Sequence, residues 1–268
     1  MTKSFTRMYA VFLRQVYLYR ETPIRFFQMF VWVLIDLVLW GFISKYFSQS
    51  AVSPSGIVTI LLSAIILWGF LNRVYQGLIM FFLEDSWSRN FLNMFATPLK
   101  LYEYVAGFVV STIITSAIVF AVVIPLAYVM FGYSLLTLGF SLVPFIIALF
   151  IFGVSIGIFS VALVLRFGPV AEWFIWPVAA ITGPFVGVFY PISTLPEWMH
   201  IISYALPPTY VFEGMRAVIG GGAFSFSNAL TGLALAFVYV FISYITLSCV
   251  FRIVIRNGQI ARFGTEAL

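Results

Sequence analysis

The sequence is poor in charged residues, which occupy only 9% of its 268 positions. A soluble domain carries about a quarter. Hydrophobic residues account for 63% and aromatic residues for 19% of the chain. Because so little polar surface is available, the composition excludes a water-soluble globule and predicts a membrane protein.

Cysteine and histidine occur once each, as Cys249 and His200. One cysteine excludes an internal disulfide framework, and two candidate ligands are too few for a protein-built zinc site. Neither residue has neighbours in the sequence that would make it a catalytic nucleophile or base. We therefore expect no catalytic residue, metal site or cofactor site in this chain, and a membrane-embedded enzyme is disfavoured.

A phosphate-binding loop is also missing, since the pattern G-x-x-x-x-G-K-[ST] occurs nowhere in the sequence. The sequence therefore gives no sign of a nucleotide phosphate site of this kind in this chain.

Long apolar runs make up most of the sequence. A helix needs about 20 residues to cross about 30 Å of hydrocarbon. Six runs are long enough: 26–47, 57–83, 105–131, 137–165, 170–191 and 228–251. They are far too long for strands of a membrane barrel, which need about 9–11 residues. The sequence predicts an all-α polytopic membrane protein with six transmembrane helices in one domain, 1–268.

Most lysines and arginines fall on one side of the predicted spans. Eleven of the 14 lie before span one, after span six, or after spans two and four. They are Lys3, Arg7, Arg14, Arg20, Arg25, Arg89, Lys100, Arg166, Arg252, Arg256 and Arg262. The positive-inside rule places this side, with both termini, in the cytoplasm. The net charge of +5 is thus explained by orientation in the membrane, without nucleic acid as a partner.

Residues 4–20 have the pattern of an amphipathic helix, with apolar side chains on one face and Lys3, Arg7 and Arg14 on the other. This pattern predicts an interfacial helix whose basic face lies toward lipid headgroups. A simple positively charged tail is the alternative.

Span one contains Asp36 and span two contains Arg73. Each lies 11 residues from a cytoplasmic marker, Arg25 or Glu84, which corresponds to about 16 Å of helix. Equal depth predicts an ion pair between adjacent antiparallel helices, since an unpaired charge is costly there. In the alternative, Arg73 faces a wet cavity with Asn72 and Gln76 and binds an anionic substrate group.

Residues 84–100 form a polar and aromatic segment between spans two and three. Ser86 or Ser88 is suited to cap a helix from about Trp87 to Ala96, which Pro98 ends. An exposed apolar ridge on this helix would bind a groove in a partner protein; a helix resting on the bilayer is the alternative. The expected contact residues are Trp87, Arg89, Phe91, Leu92, Met94 and Phe95.

Two later spans have distinctive patterns. Gly153 and Gly157 in span four have the GxxxG spacing of closely packed helices. Span five is rich in aromatic residues, which favour either an interfacial belt and core packing or the lining of a substrate path. The candidate path residues are Asn72, Gln76, Trp176, Phe185 and Phe189.

The 192–222 segment on the opposite side suggests two short re-entrant helices that act as a gate. Thr194 to Glu197 has capping-box spacing, Pro207-Pro208 ends the first helix, and Glu213 can pair with Arg216 in the second. The candidate gate residues are Pro191, Pro196, Trp198, Pro207, Pro208, Tyr210, Glu213 and Arg216.

The stretches Tyr190-Pro-Ile-Ser-Thr-Leu-Pro-Glu-Trp-Met-His and Leu206-Pro-Pro-Thr-Tyr-Val-Phe-Glu-Gly-Met-Arg216 carry a resemblance to a known family. They resemble the signature of ABC-2 exporter permeases, Pro-x-x-x-Leu-Pro-x-Trp followed by Pro-x-Thr-Tyr and Glu-x-x-Arg. Thr97-Pro98-Leu99, Glu103 and Gly107 also look like that family's cytoplasmic helix and turn. Pro208 departs from the pattern, because many members have Leu there.

The resemblance implies six transmembrane helices, an N-terminal interfacial helix, a cytoplasmic coupling helix over 84–100 and re-entrant external helices before span six. It implies a homodimer, or a pair with a similar subunit, carried on two ATP-binding subunits in a bacterial-type cytoplasmic (inner) membrane. The expected cargo is an amphiphile, lipid or drug-like molecule, with a lipid-linked glycan as the alternative. An ATP-independent secondary transporter or channel would show more intramembrane carboxylates than Asp36 alone.

Overall fold

A computed structural model of the chain describes residues 2–48 and 56–259. Within these residues the regular structure is helical and includes no strand, which confirms the predicted all-α class for that part of the chain. The α-helices are α1 Thr2–Glu21, α2 Pro23–Ser48, α3 Ile57–Trp87, α4 Phe91–Ala96, α5 Leu101–Phe131, α6 Leu142–Phe167, α7 Glu172–Thr182, α8 Glu197–Ala205, α9 Pro207–Ile219 and α10 Phe226–Arg256. Arg262, one of the predicted cytoplasmic charges, lies outside the described residues.

Five described segments are long and apolar enough to cross a membrane. They are Pro23–Phe47, Val58–Trp87, Leu101–Phe131, Leu135–Phe167 and Phe226–Arg256, and they overlap predicted spans one to four and six. In the most apolar stretches of α3 and α6, 61% of residues are buried, against 17% in α2 and α10. The protein core therefore lies around α3 and α6, while α2 and α10 flank it.

The fifth predicted span, 170–191, is not a continuous helix. α7 has only 11 residues, which is about 16 Å of helix, and residues 183–190 form turns. Proline disfavours helical geometry in the residue before it, so Pro184 explains the break after Thr182. Gly187 adopts a left-handed φ of 67°, which a larger residue would adopt only with strain. The bounds of the predicted span were set by its apolar run, so they extended across this interruption, although proline and glycine within the run permit a kink.

The interrupted segment nevertheless lies along α3. The Trp87 indole N–H donates to Glu172 Oε1 at 3.0 Å, and Gly183 lies against the ring of Trp68. Since the residue numbers rise along α7 as they fall along α3, the two run antiparallel. Residues 172–183 thus extend from one end of α3 toward the other.

The direction of each helix defines two ends of the bundle. We call the end that carries α1 and α4 the basic end, and the end that carries residues 132–141, α8 and α9 the opposite end. Ser4 Oγ lies 3.1 Å from the Tyr102 hydroxyl, and the Arg166 Nη1 group donates to Gln259 Oε1 at 3.5 Å. Both limits of the described chain therefore lie at the basic end.

α3 and α6 pack closely and in parallel. A Cβ on Gly153 would lie 2.8 Å from Val74 Cγ1, and one on Gly157 would lie 3.0 Å from Leu78 Cβ. Both contacts are shorter than ordinary side-chain packing distances, so only glycine permits this approach. The predicted role of the GxxxG pair in helix packing is confirmed.

The predicted N-terminal helix is present as α1, but the predicted environment of its basic face is wrong for Arg7 and Arg14. Arg7 pairs with Glu103 at 3.3 Å and Arg14 pairs with Asp85. α1 also packs on α5, where the missing side chain of Gly107 leaves room for Val11. The cause is charge complementarity with buried carboxylates, which the helical pattern of 4–20 alone does not reveal. Placement of α1 at a membrane surface stays a prediction.

The predicted helix over residues 87–96 is divided. α3 continues to Trp87, and Arg89 has a positive φ of 55°, which interrupts the helix before α4 begins. Asn90 occupies the N-cap position without a side-chain cap bond, so the predicted serine cap is not formed. The exposed apolar ridge is also wrong, because Phe91 is 0% exposed.

Candidate functional site

A groove opens between α2, α3 and α7. It consists of a cavity of about 410 Å³ near the basic end and an adjoining cavity of about 210 Å³ farther along α3. Trp32, Arg73, Gln76 and Trp176 line both parts. Volumes of about 300–1,000 Å³ are usual for small-molecule sites, so the groove is large enough to hold a ligand.

Hydrogen bonds between α3 and α7 fix one wall of the groove. The Tyr75 hydroxyl donates to the Trp176 carbonyl oxygen at 3.3 Å, and the Gln76 amide donates to the Tyr75 hydroxyl at 3.5 Å. These contacts hold Trp176 beside Gln76 at the groove surface. The wall therefore combines an aromatic face with an amide.

Arg73 is the buried charge of the groove. Its residue is only 9% exposed, and its Nε and Nη2 atoms form no hydrogen bond with the described residues. Tyr19 of α1 lies beside its guanidinium. Burial raises the pKa of the Tyr19 hydroxyl, and the nearby Arg73 charge offsets only part of that effect. Tyr19 is therefore neutral at pH 7 and does not cancel the charge of Arg73.

The predicted ion pair between Asp36 and Arg73 is not formed. No nitrogen–oxygen contact within 4.0 Å joins these two described residues. Equal depth along antiparallel helices does not by itself bring two side chains together, because each must also point toward the other. Both line the groove all the same.

Three of the five predicted path residues come together in the groove. Asn72, Gln76 and Trp176 line it, and the first two are the neighbours that the alternative interpretation gave to Arg73. Phe185 and Phe189 do not line the cavities described. Phe189 instead stacks on Trp40, with ring centroids 4.7 Å apart, because the break after Thr182 carries it away from α7.

Several groove residues were missed by sequence reasoning. They are Tyr19, Gln28, Trp32 and Trp68. Trp32 is four residues before Asp36 and lies on the same helical face, a spacing that could have indicated it. Tyr19 reaches the groove only because α1 folds back against the bundle, for which no local pattern gives a signal.

At the basic end, three arginines of α1 and α2 pair with three carboxylates of α3 and α5. The pairs are Arg7–Glu103 at 3.3 Å, Arg14–Asp85, and Arg25–Glu84 at 3.3 Å. Asp85 and Glu103 are fully buried. Asp85 also accepts a hydrogen bond from the Tyr104 hydroxyl at 2.8 Å, and Glu103 from the Lys100 backbone N–H at 2.9 Å. These pairs join the N-terminal segment to the base of the bundle.

The predicted contact residues of segment 84–100 divide into two groups. Phe91 packs against Phe82 of α3 and Tyr104 of α5, and Phe95 packs against Phe251 of α10. Met94 is half-buried against the same core, and the side chain of Leu92 lies outside the described part of the structure. Trp87 and Arg89 are exposed.

The surface that segment 84–100 presents is mainly polar. Its exposed side chains are Trp87, Ser88, Arg89, Asn93, Ala96, Thr97, Pro98 and Lys100. We call this set the basic-end face. Asn93 and Thr97 lie on it at helical spacing, and sequence reasoning passed over both because it looked for apolar residues.

At the opposite end, the Glu213–Arg216 pair predicted from sequence is formed, at 2.7 Å. Glu213 Oε1 also accepts the Ile192 backbone N–H at 2.8 Å, and Arg216 Nη1 donates to the Val188 carbonyl at 3.5 Å. The pair therefore fixes residues 188–192 against α9. A role in gating stays a prediction.

The turn between α8 and α9 differs from the predicted one. Thr194 donates to the Pro191 carbonyl at 2.7 Å and caps no helix, since Pro196 holds the N-cap position of α8. Pro207 and Pro208 are buried and begin α9, where proline is favoured because the first helical N–H groups need no intrahelical acceptor. Thr209 closes the turn by donating to the Ser203 carbonyl at 2.6 Å.

The remaining predicted gate residues differ in exposure. Pro191, Pro196 and Trp198 are exposed, whereas Tyr210 is half-buried and donates to the Tyr204 carbonyl at 3.0 Å. α8 thus presents an apolar face to its surroundings, with Ile201 78% exposed. Such a face is suited to lipid contact.

Comparison with known proteins gives a family match over most of the chain. The family model described as ABC-2 type transporter matches residues 6–219, from α1 through α9. The Uncharacterized protein YhgE of Bacillus subtilis (strain 168) is 37% identical over 65 residues. That alignment covers 23% of this chain and 8% of YhgE, so this chain is similar to a small part of that protein.

Proposed function

Because the chain belongs to the ABC-2 type transporter family, we propose that it is the membrane-spanning permease of an ATP-driven exporter. In this proposal it moves an amphiphilic, lipid or drug-like substrate out of the cytoplasm and has no catalytic activity of its own. The observation that carries the proposal is the family match over residues 6–219. The substrate groove between α2, α3 and α7 supports the cargo class, because aromatic side chains and a buried cation line it.

The energy source in this proposal is a separate ATP-binding subunit, present in two copies, with ATP and magnesium bound there. Two copies of this chain would form the permease. The basic-end face is the proposed docking surface, with Asn93 and Thr97 at its centre and Trp87 and Arg89 beside them. Its polar character suits a surface that is exposed to water when the partner is absent.

The packing beneath the basic-end face gives a route for coupling. Phe91 joins α4 to α3 and α5, and Phe95 joins α4 to α10. A displacement of α4 by the partner would therefore act on three long helices at once. ATP binding would favour one arrangement of these helices over the other, which is a shift in population between two states.

The membrane orientation is part of the same proposal. We place the basic end in the cytoplasm and the opposite end outside, in a bacterial-type inner membrane. The five span-length helices and the interrupted α7 segment alternate in direction between the two ends, which supports six crossings. The concentration of arginine and lysine at the basic end supports this orientation.

Co-expression with an ATP-binding subunit encoded near this chain tests the proposal. We expect the two to co-purify, and reconstituted vesicles to move a fluorescent amphiphile only when ATP and magnesium are supplied on the side of the ATP-binding subunit. Walker-motif substitution in that subunit is the matched control and should abolish transport. Transport by this chain alone, without any ATP-binding subunit, would contradict the proposal and favour a secondary transporter or channel.

A lipid-linked glycan is the second candidate cargo. The observation that favours it is the set of Trp32, Trp68 and Trp176 around the groove, since aromatic faces pack well on amphipathic rings. Replacing Trp32 by Leu should then lower glycan transport more than transport of a single-chain amphiphile. Equal effects on both would favour the first candidate.

A further inference from the structure

Two charged side chains of the groove lack a partner of opposite charge. Arg73 is nine-tenths buried, and its Nε and Nη2 atoms form no hydrogen bond with the described residues. Asp36 is half-buried in the same groove. An isolated charge in apolar surroundings is unfavourable, so each of the two would gain from a ligand group of opposite charge.

Other charges near the groove do not supply these partners. Glu84 lines the basic-end part, but it pairs with Arg25 at 3.3 Å. Tyr19 lies beside Arg73 and is neutral, as shown above. Asp36 and Arg73 form no ion pair with each other. Asp36 and Arg73 together carry no net charge, so a ligand with one positive and one negative group fits them best.

The placement of the two side chains is consistent with such a ligand. No nitrogen–oxygen contact within 4.0 Å joins them, yet both line the same part of the groove. A compact zwitterionic head group lying between them can therefore contact both.

The surroundings of Asp36 suit the cationic part of that head group. Trp32, Trp68 and Trp176 line the same part of the groove, and the faces of tryptophan rings attract ammonium groups. Asn72 and Gln76 are polar neighbours that can bind the anionic part near Arg73. Trp32 is 69% exposed on the outer face of α2, where an alkyl chain would leave the groove.

We propose that this groove binds a zwitterionic amphiphile, with its anionic group on Arg73, its cationic group on Asp36 and its alkyl chain along the outer face of α2. The proposal rests on the proposed permease function for its role in transport, but the binding itself is a property of this chain alone. A purely anionic amphiphile would meet the charge of Asp36, and a purely cationic one that of Arg73. Each should therefore bind more weakly than the zwitterion.

Binding to the purified full chain in dodecyl maltoside micelles tests the proposal. The probes are dodecylphosphocholine, dodecyl phosphate and dodecyltrimethylammonium at equal mole fractions, with tail-less glycerophosphocholine as a fourth. Calorimetry and tryptophan fluorescence report binding. We expect dodecylphosphocholine to bind most tightly and glycerophosphocholine at least about tenfold more weakly, since it lacks the alkyl chain.

Substitutions test which of the two side chains binds which charged group of the ligand. Arg73→Gln should weaken the binding of dodecylphosphocholine and of dodecyl phosphate at least about tenfold, because a charge-assisted hydrogen bond is lost. Asp36→Asn should remove the preference for dodecylphosphocholine over dodecyl phosphate. Arg252→Gln, an exposed arginine of α10, is the matched control and should change neither affinity.

Several results would overturn the proposal. They are equal binding of the three charged probes to the unchanged chain, binding within twofold of normal in Arg73→Gln, and glycerophosphocholine binding as tightly as dodecylphosphocholine. If Arg73→Gln does not fold, Asp36→Asn still decides, because an unchanged preference for the zwitterion contradicts the assignment. Co-purification with an ATP-binding subunit is measured separately, so a failure here is distinguishable from failure of the permease proposal.

Discussion

Arg14 of α1 forms an ion pair with Asp85 of α3, whose carboxylate is fully buried at the basic end. The Tyr104 hydroxyl of α5 donates to the other carboxylate oxygen at 2.8 Å. Asp85 is thus the point at which three helices meet. Since α1 contributes the only positive charge of this contact among the described residues, the N-terminal helix is part of the folded bundle.

Removing Arg14 should therefore destabilise the whole protein. Arg14→Met leaves a buried carboxylate without its counter-charge, which costs about 3–5 kcal/mol. Unfolding in mixed detergent micelles, followed by circular dichroism, measures the change. Arg20→Met, at an exposed position of the same helix, is the control. Equal stability of the two variants would show that Asp85 does not depend on Arg14.

The buried ring of Phe91 predicts a second effect on stability. Phe91→Ala removes an aromatic side chain packed between α3 and α5 and should cost about 3–5 kcal/mol. Asn93→Ala, two residues away and exposed, should change stability by no more than about 0.5 kcal/mol. The same unfolding measurement compares them. If Phe91→Ala were as stable as Asn93→Ala, the ring would be a free surface, as the sequence first suggested.

Substitutions on the basic-end face should weaken docking of the ATP-binding subunit without changing the folding of this chain. Asn93→Glu and Thr97→Glu together should reduce co-purification of the ATP-binding subunit at least about tenfold, since an unpaired charge would be placed in the contact. The melting temperature of the isolated chain should stay the same. Asn228→Glu, exposed at the opposite end, is the control. Normal assembly and transport by the double variant would exclude this face as the docking surface.

The close approach of α1 to α5 depends on Gly107. A Cβ there would lie 2.6 Å from Val11 Cβ, so Gly107→Ala must displace α1 and should destabilise by about 1–3 kcal/mol. At Gly69, a Cβ would meet only Val33 Cγ1, at 3.8 Å. Gly69→Ala should therefore be neutral or stabilising by up to about 1 kcal/mol. A Gly107→Ala variant as stable as Gly69→Ala would show that α1 packs loosely.

Cysteine labelling tests the orientation in the membrane. Cys249 is the single cysteine of the sequence, so Cys249→Ser provides a background for Asn93→Cys and Thr137→Cys. A membrane-impermeant maleimide added to intact cells should label Thr137→Cys directly and Asn93→Cys only after permeabilisation. The reverse pattern would place the basic end outside and contradict export from the cytoplasm.

Local pattern predicted the span-length helices well, because a bilayer-crossing helix is defined by a property of about 20 consecutive residues. It failed where a break within a run mattered, as at Gly183-Pro184. It also predicted the i,i+3 pair of Glu213 and Arg216, which the structure confirms, since that contact lies within one helix.

Local sequence patterns could not predict contacts between segments that are far apart in the sequence. Counting residues from the membrane surface gave Asp36 and Arg73 equal depth, but depth does not fix the direction in which each side chain points, and the two form no ion pair. The apolar residues of α4 looked like a free ridge, because nothing in six residues shows that Phe82, Tyr104 and Phe251 cover them. The partners of Asp85 and Glu103 lie on α1, far away in the sequence.

We propose that this chain transports only together with a separate ATP-binding subunit docked at the basic end. The most direct measurement is ATP-dependent movement of a fluorescent amphiphile in vesicles that contain both chains. Transport should stop without ATP and fall with the Asn93→Glu/Thr97→Glu double variant, while folding is unchanged. Transport that persists without ATP, or without the second chain, would contradict it.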